Sequence, residues 1–66
     1  MMLIINGESR DLAPVGSVRE LVALLDLPKD RVAVELNGRI IRRTEWENDA
    51  LTEGDRVEIV QFVGGG

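Results

Sequence analysis

The chain has 66 residues, 44% of them hydrophobic, and a formal net charge of −4 from 12 acids and 8 bases. That length allows one domain with a thin core, in which folding buries ~60% of the unfolded chain's surface. Without Cys or His there is no disulfide staple, thiol nucleophile, imidazole base or usual soft metal ligand, and the acidic balance argues against nucleic acid as a partner.

Met2-Leu3-Ile4-Ile5 is an apolar run of strand formers, and Asn6-Gly7 follows it. That dipeptide is preferred in tight hairpin turns, so Glu8 to Leu12 reads as the return strand. Ala13-Pro14-Val15-Gly16 breaks the pattern.

Ser17-Val18-Arg19-Glu20 has the form of a capping box, in which Ser17 accepts from the Glu20 amide and Glu20 reaches back. Val18, Leu21, Val22 and Leu25 then recur at one-face helical spacing. The pattern predicts a helix from near Val18 to near Leu25. Leu27-Pro28 supplies the stop, because a residue before proline is pushed out of the helical region.

Val32 to Leu36 reads as a third strand. Asn37-Gly38 is a second hairpin signal, and Arg39-Ile40-Ile41 a short fourth strand. Thr44-Glu45-Trp46-Glu47 resembles another capping box that opens one helical turn, with Trp46 and Leu51 as core anchors. Glu53-Gly54-Asp55 is a turn, and Arg56 to Phe62 is the last strand. From Thr44 to Glu58 six acids (Glu45, Glu47, Asp49, Glu53, Asp55, Glu58) face one base, Arg56. This bias favours a basic docking surface on a partner protein.

Apolar first and last strands around one helix predict an α+β fold, with the helix on one face of a mixed sheet of four to five strands. Strand, hairpin, helix and strands in this order give the ubiquitin-like β-grasp, whose first and last strands run parallel in the sheet centre. The expected organisation is a domain over 1–63 and a flexible glycine tail over 64–66. The sequence has no apolar run near 18 residues, signal-peptide pattern or lipidation motif. A soluble, cytoplasmic chain without a membrane partner is therefore expected.

The last strand runs into Gly64-Gly65-Gly66, and the carboxylate of Gly66 is the one chemically unusual group. Three extended residues reach roughly 10 Å, enough to carry that carboxylate into a neighbour's active site. Gly64 and Gly65 suit a narrow channel, since glycine lacks a Cβ and passes close to other backbone. With Leu3, Ile5, Val57 and Ile59 facing the helix, Ile4, Val60 and Phe62 fall on the open side of the sheet. An apolar patch rimmed by charge commonly marks a docking site, so these three are the candidate partner-binding residues.

Asn6-Gly7 after an apolar strand, Asn37-Gly38 before Ile40-Ile41, Trp46, and the run from Gly54-Asp55 through Val57-Glu58-Ile59-Val60 to the terminal glycines resemble the ThiS family. These are the sulfur carriers of thiamin biosynthesis. The resemblance covers the whole chain. It implies that a ThiF-type adenylating enzyme uses ATP to activate Gly66. Sulfur from a donor protein would then replace AMP to give a thiocarboxylate, and thiazole synthase (ThiG) would take the sulfur. The chain itself would be a protein co-substrate with no catalytic residue, no metal and no bound cofactor. The small subunit of molybdopterin synthase, a conjugating modifier and a plain interaction module with an inert tail are the alternatives.

Overall fold

Two Asn-Gly turns set the local course of the chain. Asn6 and Gly7 have φ of 50° and 83°, and Asn37 and Gly38 have 52° and 84°. Positive φ at both central residues defines the hairpin turn whose twist matches its flanking strands. Asn tolerates this region better than most residues and glycine adopts it freely. The first turn joins β1 (Met2–Ile5) to β2 (Glu8–Asp11), and the second joins β3 (Val32–Leu36) to β4 (Arg39–Ile41). The expected return strand to Leu12 stops at Asp11, although the Leu12 N–H still bonds the Met1 carbonyl.

The computed structural model describes residues 1–63. The proposed tail, Gly64 to Gly66, lies outside the described residues. β5 (Arg56–Gln61) completes a sheet of order β2-β1-β5-β3-β4. β1 and β5 run parallel in the middle, and β5 is antiparallel to β3. With one helix, α1 (Val18–Leu24), on one face, this is the β-grasp arrangement. Among the described residues no helix is long and apolar enough to cross a membrane.

α1 starts where the capping box predicts. The Ser17 hydroxyl accepts from the Glu20 N–H at 3.2 Å. The Glu20 carboxylate reaches one residue further out than expected and accepts from the Gly16 N–H at 2.6 Å. The first free amides of the helix also find acceptors: Val18 donates to the Asp49 carbonyl at 3.1 Å and Arg19 to the Trp46 carbonyl at 3.2 Å. The helix thus begins docked on the 46–50 turn.

Its end differs from the expected proline stop. Leu25 is the cap and Asp26 takes φ of 54°. The Asp26 N–H bonds the Ala23 carbonyl and the Leu27 N–H bonds the Val22 carbonyl. These are the paired bonds of a Schellman motif, closed here by Asp in place of the usual glycine. Beyond Pro28, a 3-10 turn over Lys29–Arg31 occupies a stretch that periodicity had left unassigned. The second expected capping box does not form. A 3-10 turn over Arg43–Glu45 begins one residue before Thr44, without a side-chain cap, and Glu47 instead pairs with Arg19 at 2.9 Å.

The core lies between α1 and the inner sheet face. Leu3, Val18, Leu21, Val34 and Val57 are its most deeply buried side chains. Trp46 and Leu51 are buried as expected, and the indole N–H donates to the Ile41 carbonyl at 3.1 Å. Among the described residues no polar or charged residue is buried. The thin core is therefore stabilised by apolar burial, at roughly 25 cal/mol per Å² removed from water.

Candidate functional site

β5 carries the chain toward the tail, and its neighbours on both sides fix its direction. Its two-residue period puts Val57 in the core at 0% exposure, and Ile59 packs partly buried behind it. Arg56, Glu58, Val60 and Phe62 fall on the opposite face. The Phe62 N–H donates to the Arg31 carbonyl at 2.7 Å, which ties the root of the tail to the 29–31 turn.

Two asparagine side chains brace β5, one at its start and one at its middle. Asn6 Oδ1 accepts from the Ile59 N–H at 2.7 Å, and its Nδ2 donates to the Ile59 carbonyl at 3.2 Å. Asn37 Oδ1 accepts from the Arg56 N–H at 3.0 Å, and its Nδ2 donates to Asp55 Oδ1 at 3.2 Å. Each hairpin asparagine therefore makes its turn and also pairs with β5 where its own strand has turned away. The Asn-Gly dipeptides reveal the turns, but not this second bonding.

The three predicted docking residues sit on the face away from the helix, though unequally. Val60 is 54% exposed and Phe62 is 56% exposed. Ile4 is half-buried, with Ser9 as its β2 partner and Arg56 as its β5 partner. Three further exposed apolar residues outside the helix were not among the predicted docking residues: Met2 at 40%, Ile40 at 71% and Val63 at 96% exposure. Ile40 was legible in principle, because alternation along Arg39-Ile40-Ile41 must turn it away from the buried Ile41. The predicted tail residues Gly64, Gly65 and Gly66 lie outside the described residues.

The acids of the 45–58 segment do not form one docking face. Glu45 accepts from the Asn48 amide, and Glu47 and Asp49 pair with Arg19 and Arg39. Glu53 accepts from the Met2 N–H. Asp55 accepts from the Thr52 N–H at 2.9 Å, the Thr52 hydroxyl at 3.2 Å and the Asn37 amide. Burial pushes the Asp55 carboxyl up, but the bonds from Thr52 and Asn37 outweigh it and hold the pKa below the usual carboxylate value. Among the described residues only Glu58 of the six lacks such a partner. The expected acidic docking surface is thus mostly engaged in bonds within the chain.

A recess of about 550 Å³ opens on the helix side, lined by Val22, Leu27, Lys29, Arg43 and Trp46 among others. Its charges are largely paired, with Arg43 on Asp30 at 2.6 Å and Arg19 on Glu47. Among the described residues no group of His, Cys, Asp and Glu is arranged to hold a metal ion. What the described surface presents is a strand, an apolar face beside it and a root for the tail.

The model of the ThiS family matches residues 3–66. The chain belongs to that family. The ThiS match includes the three glycines as well as the sheet. The chain is 36% identical over 66 residues to the sulfur carrier protein ThiS of Bacillus subtilis, covering 98% of this chain and 100% of that one. A crystal structure of the thiamine biosynthesis protein ThiS from Geobacter metallireducens superposes with a TM-score of 0.82 at 35% identity, covering 100% of both chains. The chain is also 39% identical over 66 residues to a thiazole synthase of Paramagnetospirillum magneticum. There it spans 100% of its own length but only 20% of the relative's. A ThiS-like segment and a much longer remainder are thus joined in that one polypeptide.

Proposed function

We propose that this ThiS-family chain is the sulfur carrier for thiazole formation in thiamin biosynthesis. The observation that carries the reading is the double likeness just described. The whole chain is similar to stand-alone sulfur carriers and to one segment of a thiazole synthase. Fusion of the two in one polypeptide is understandable if carrier and synthase must meet, because a covalent link raises their effective concentration. Thiazole synthase is accordingly the acceptor partner in this reading.

The chemistry is activation of the Gly66 carboxylate. A carboxylate is a poor electrophile, since its charge is delocalised and its oxygen leaves badly. A ThiF-type adenylating enzyme joins the carboxylate to the α-phosphate of ATP and releases pyrophosphate. Hydrosulfide supplied by a donor protein then attacks the carbonyl carbon, AMP leaves with the C–O bond electrons, and the sulfhydryl proton passes to solvent. The product is a thiocarboxylate that passes its sulfur to thiazole synthase. Glycine at this position sets no side chain beside the carbonyl. Gly64 and Gly65 allow a close fit in the partner's channel. The carrier contributes position, and the partner enzymes contribute the catalytic groups and the ATP site.

Intact mass spectrometry tests the reading. Incubation with ATP, the adenylating enzyme and a sulfur source is expected to add the mass difference between sulfur and oxygen. A chain lacking Gly65 and Gly66 should keep its circular dichroism and lose the mass gain. Normal sulfur transfer by the truncated chain would refute the reading.

A further inference from the structure

Both hairpins turn on an asparagine followed by glycine, and asparagine is thermally labile. The glycine has no Cβ to shield its backbone nitrogen, and nothing stands within 4 Å of where a Cβ on Gly7 or Gly38 would lie. That nitrogen can attack the asparagine Cγ, expel ammonia and close a five-membered imide. Closure needs the asparagine Cβ and the glycine nitrogen on the same side of the Cα–C bond. The turn type set by positive φ at both residues holds them nearly opposite. Reaction therefore requires the turn to open, and the bonds that hold each turn shut set its susceptibility.

The two turns are not held equally. Asn6 donates its N–H to the Val57 carbonyl at 2.9 Å, and its side chain bonds both backbone groups of Ile59. Its hairpin pairs four residues on each strand, and the bond from the Leu12 N–H to the Met1 carbonyl extends it. Asn37 donates its N–H to the Arg56 carbonyl at 2.8 Å and accepts from the Arg56 N–H at 3.0 Å. Its third bond goes to an exposed side chain contact, Asp55 Oδ1 at 3.2 Å, and its outer strand β4 is a three-residue edge strand. Opening the 37–38 turn thus disturbs the shorter ladder. The products differ as well. Deamidation exchanges the NH2 group, a donor, for an oxygen that only accepts. At Asn37 that oxygen would meet the carboxylate of Asp55, which is itself held in place by the Thr52 N–H and hydroxyl.

We infer that Asn37 is a site of spontaneous deamidation, the faster of the two, and that its product cannot rebuild the clasp on β5. Base removes the proton from the Gly38 N–H, and the nitrogen forms a bond to the Asn37 Cγ. The Cγ–Nδ2 bond then breaks, and ammonia leaves with a proton from solvent. Water opens the imide at either carbonyl, giving aspartate, or isoaspartate with one more carbon in the main chain. Base and water are the only co-reactants, so the modification stands whether or not the chain carries sulfur. Its consequence is a one-way loosening of the strand that leads to the tail.

Timed incubation of the purified chain in warm, mildly alkaline buffer tests this, read by the masses of its tryptic peptides. Cleavage after arginine and lysine separates the two sites, since residues 1–10 carry Asn6 and residues 32–39 carry Asn37. The folded chain should convert Asn37 severalfold faster than Asn6, whereas in urea both should convert at comparable rates. The Asn37→Asp variant should melt roughly 5–10 °C below the wild type. Adding Asp55→Asn to that variant should raise its melting point, although the same change lowers it in the wild-type background. That reversal of sign reports the two facing carboxylates and not the mere loss of a bond. Where Asn37→Asp alone does not fold, the double variant should recover a cooperative melt. Faster conversion of Asn6 in the folded chain would overturn the inference. So would a folded Asn37 that persists while the chain in urea converts fully. A melting point unchanged by Asn37→Asp, or a double variant less stable than the single one, would overturn it too.

Discussion

The side-chain amide of Asn6 bonds both backbone groups of Ile59, accepting its N–H at 2.7 Å and donating to its carbonyl at 3.2 Å. β1 ends one residue earlier, at Ile5, and the chain then turns back into β2. The Asn6 amide continues the pairing that the backbone has abandoned. It holds the strand that carries the tail.

Asn6→Gly separates this role from turn formation, because glycine keeps the positive φ and removes both side-chain bonds. The loss should be about 1–3 kcal/mol from two bonds. Urea denaturation should show a lower midpoint with an unchanged slope. Amide exchange should show the Ile59 N–H losing protection. A variant as stable as the parent would mean that water replaces the amide without penalty.

Asp26→Gly should stabilise the chain. Asp26 holds φ of 54° at the end of α1, where glycine carries no Cβ penalty. The greater flexibility of glycine in the unfolded state offsets part of the gain. A net of about 0.5 kcal/mol and a melting point roughly 2–4 °C higher are expected. A lower melting point would show that the Asp26 side chain contributes more than its strain costs.

Leu21→Ala should cost about 2–5 kcal/mol. Leu21 is 0% exposed and sits where α1 meets the sheet. That loss is comparable to the whole stability of many domains this small. Circular dichroism at room temperature should show a largely unfolded population. A cooperative melt close to wild type would mean that the helix shifts to refill the space.

Acid should weaken the fold partly through Asp55. Its folded pKa is lowered by the bonds from Thr52 and Asn37 despite burial. A lowered carboxylate stabilises the fold at pH above its unfolded value, about 3.9. That contribution disappears as pH falls from there through the folded pKa. Asp55→Asn should be less stable at neutral pH and should lose less on acidification. Equal acid limbs in the two stability–pH curves would remove Asp55 from the account.

Phe62→Asp and Val60→Asp test the open face beside the tail. Both side chains are more than half exposed, so the melting point should hardly change. Affinity for the adenylating enzyme should fall by about 2 kcal/mol or more where the residue is a buried hot spot. Unchanged affinity in a folded variant would return that face to ordinary surface.

Much of this fold was decided by neighbours along the chain. Asn6-Gly7 and Asn37-Gly38 made their turns because positive φ is a property of those residues. Ser17 and Glu20 started α1 because a hydroxyl three residues before an amide reaches it in any context. The alternation of β5 separated Val57 from Val60 for the same local reason. The match of sequence pattern to the ThiS family carried the proposed function, whose tail chemistry would need the end of the chain more than any pocket.

Tertiary structure decided what depends on distant partners. The helix ended at Leu24 before proline took effect, because two backbone bonds just beyond it offset a left-handed Asp26. The acids after Thr44 resembled one charged surface in sequence. Folding instead distributed four of them to Arg19, Arg39, Met2 and Asn37, across separations that no periodicity encodes. Glu35 met Glu58 only through the β3–β5 register. A register shift of one residue would turn either side chain to the other face. Local conformation follows from residues adjacent in the chain, whereas the pairing of charges follows from which strands the core brings side by side.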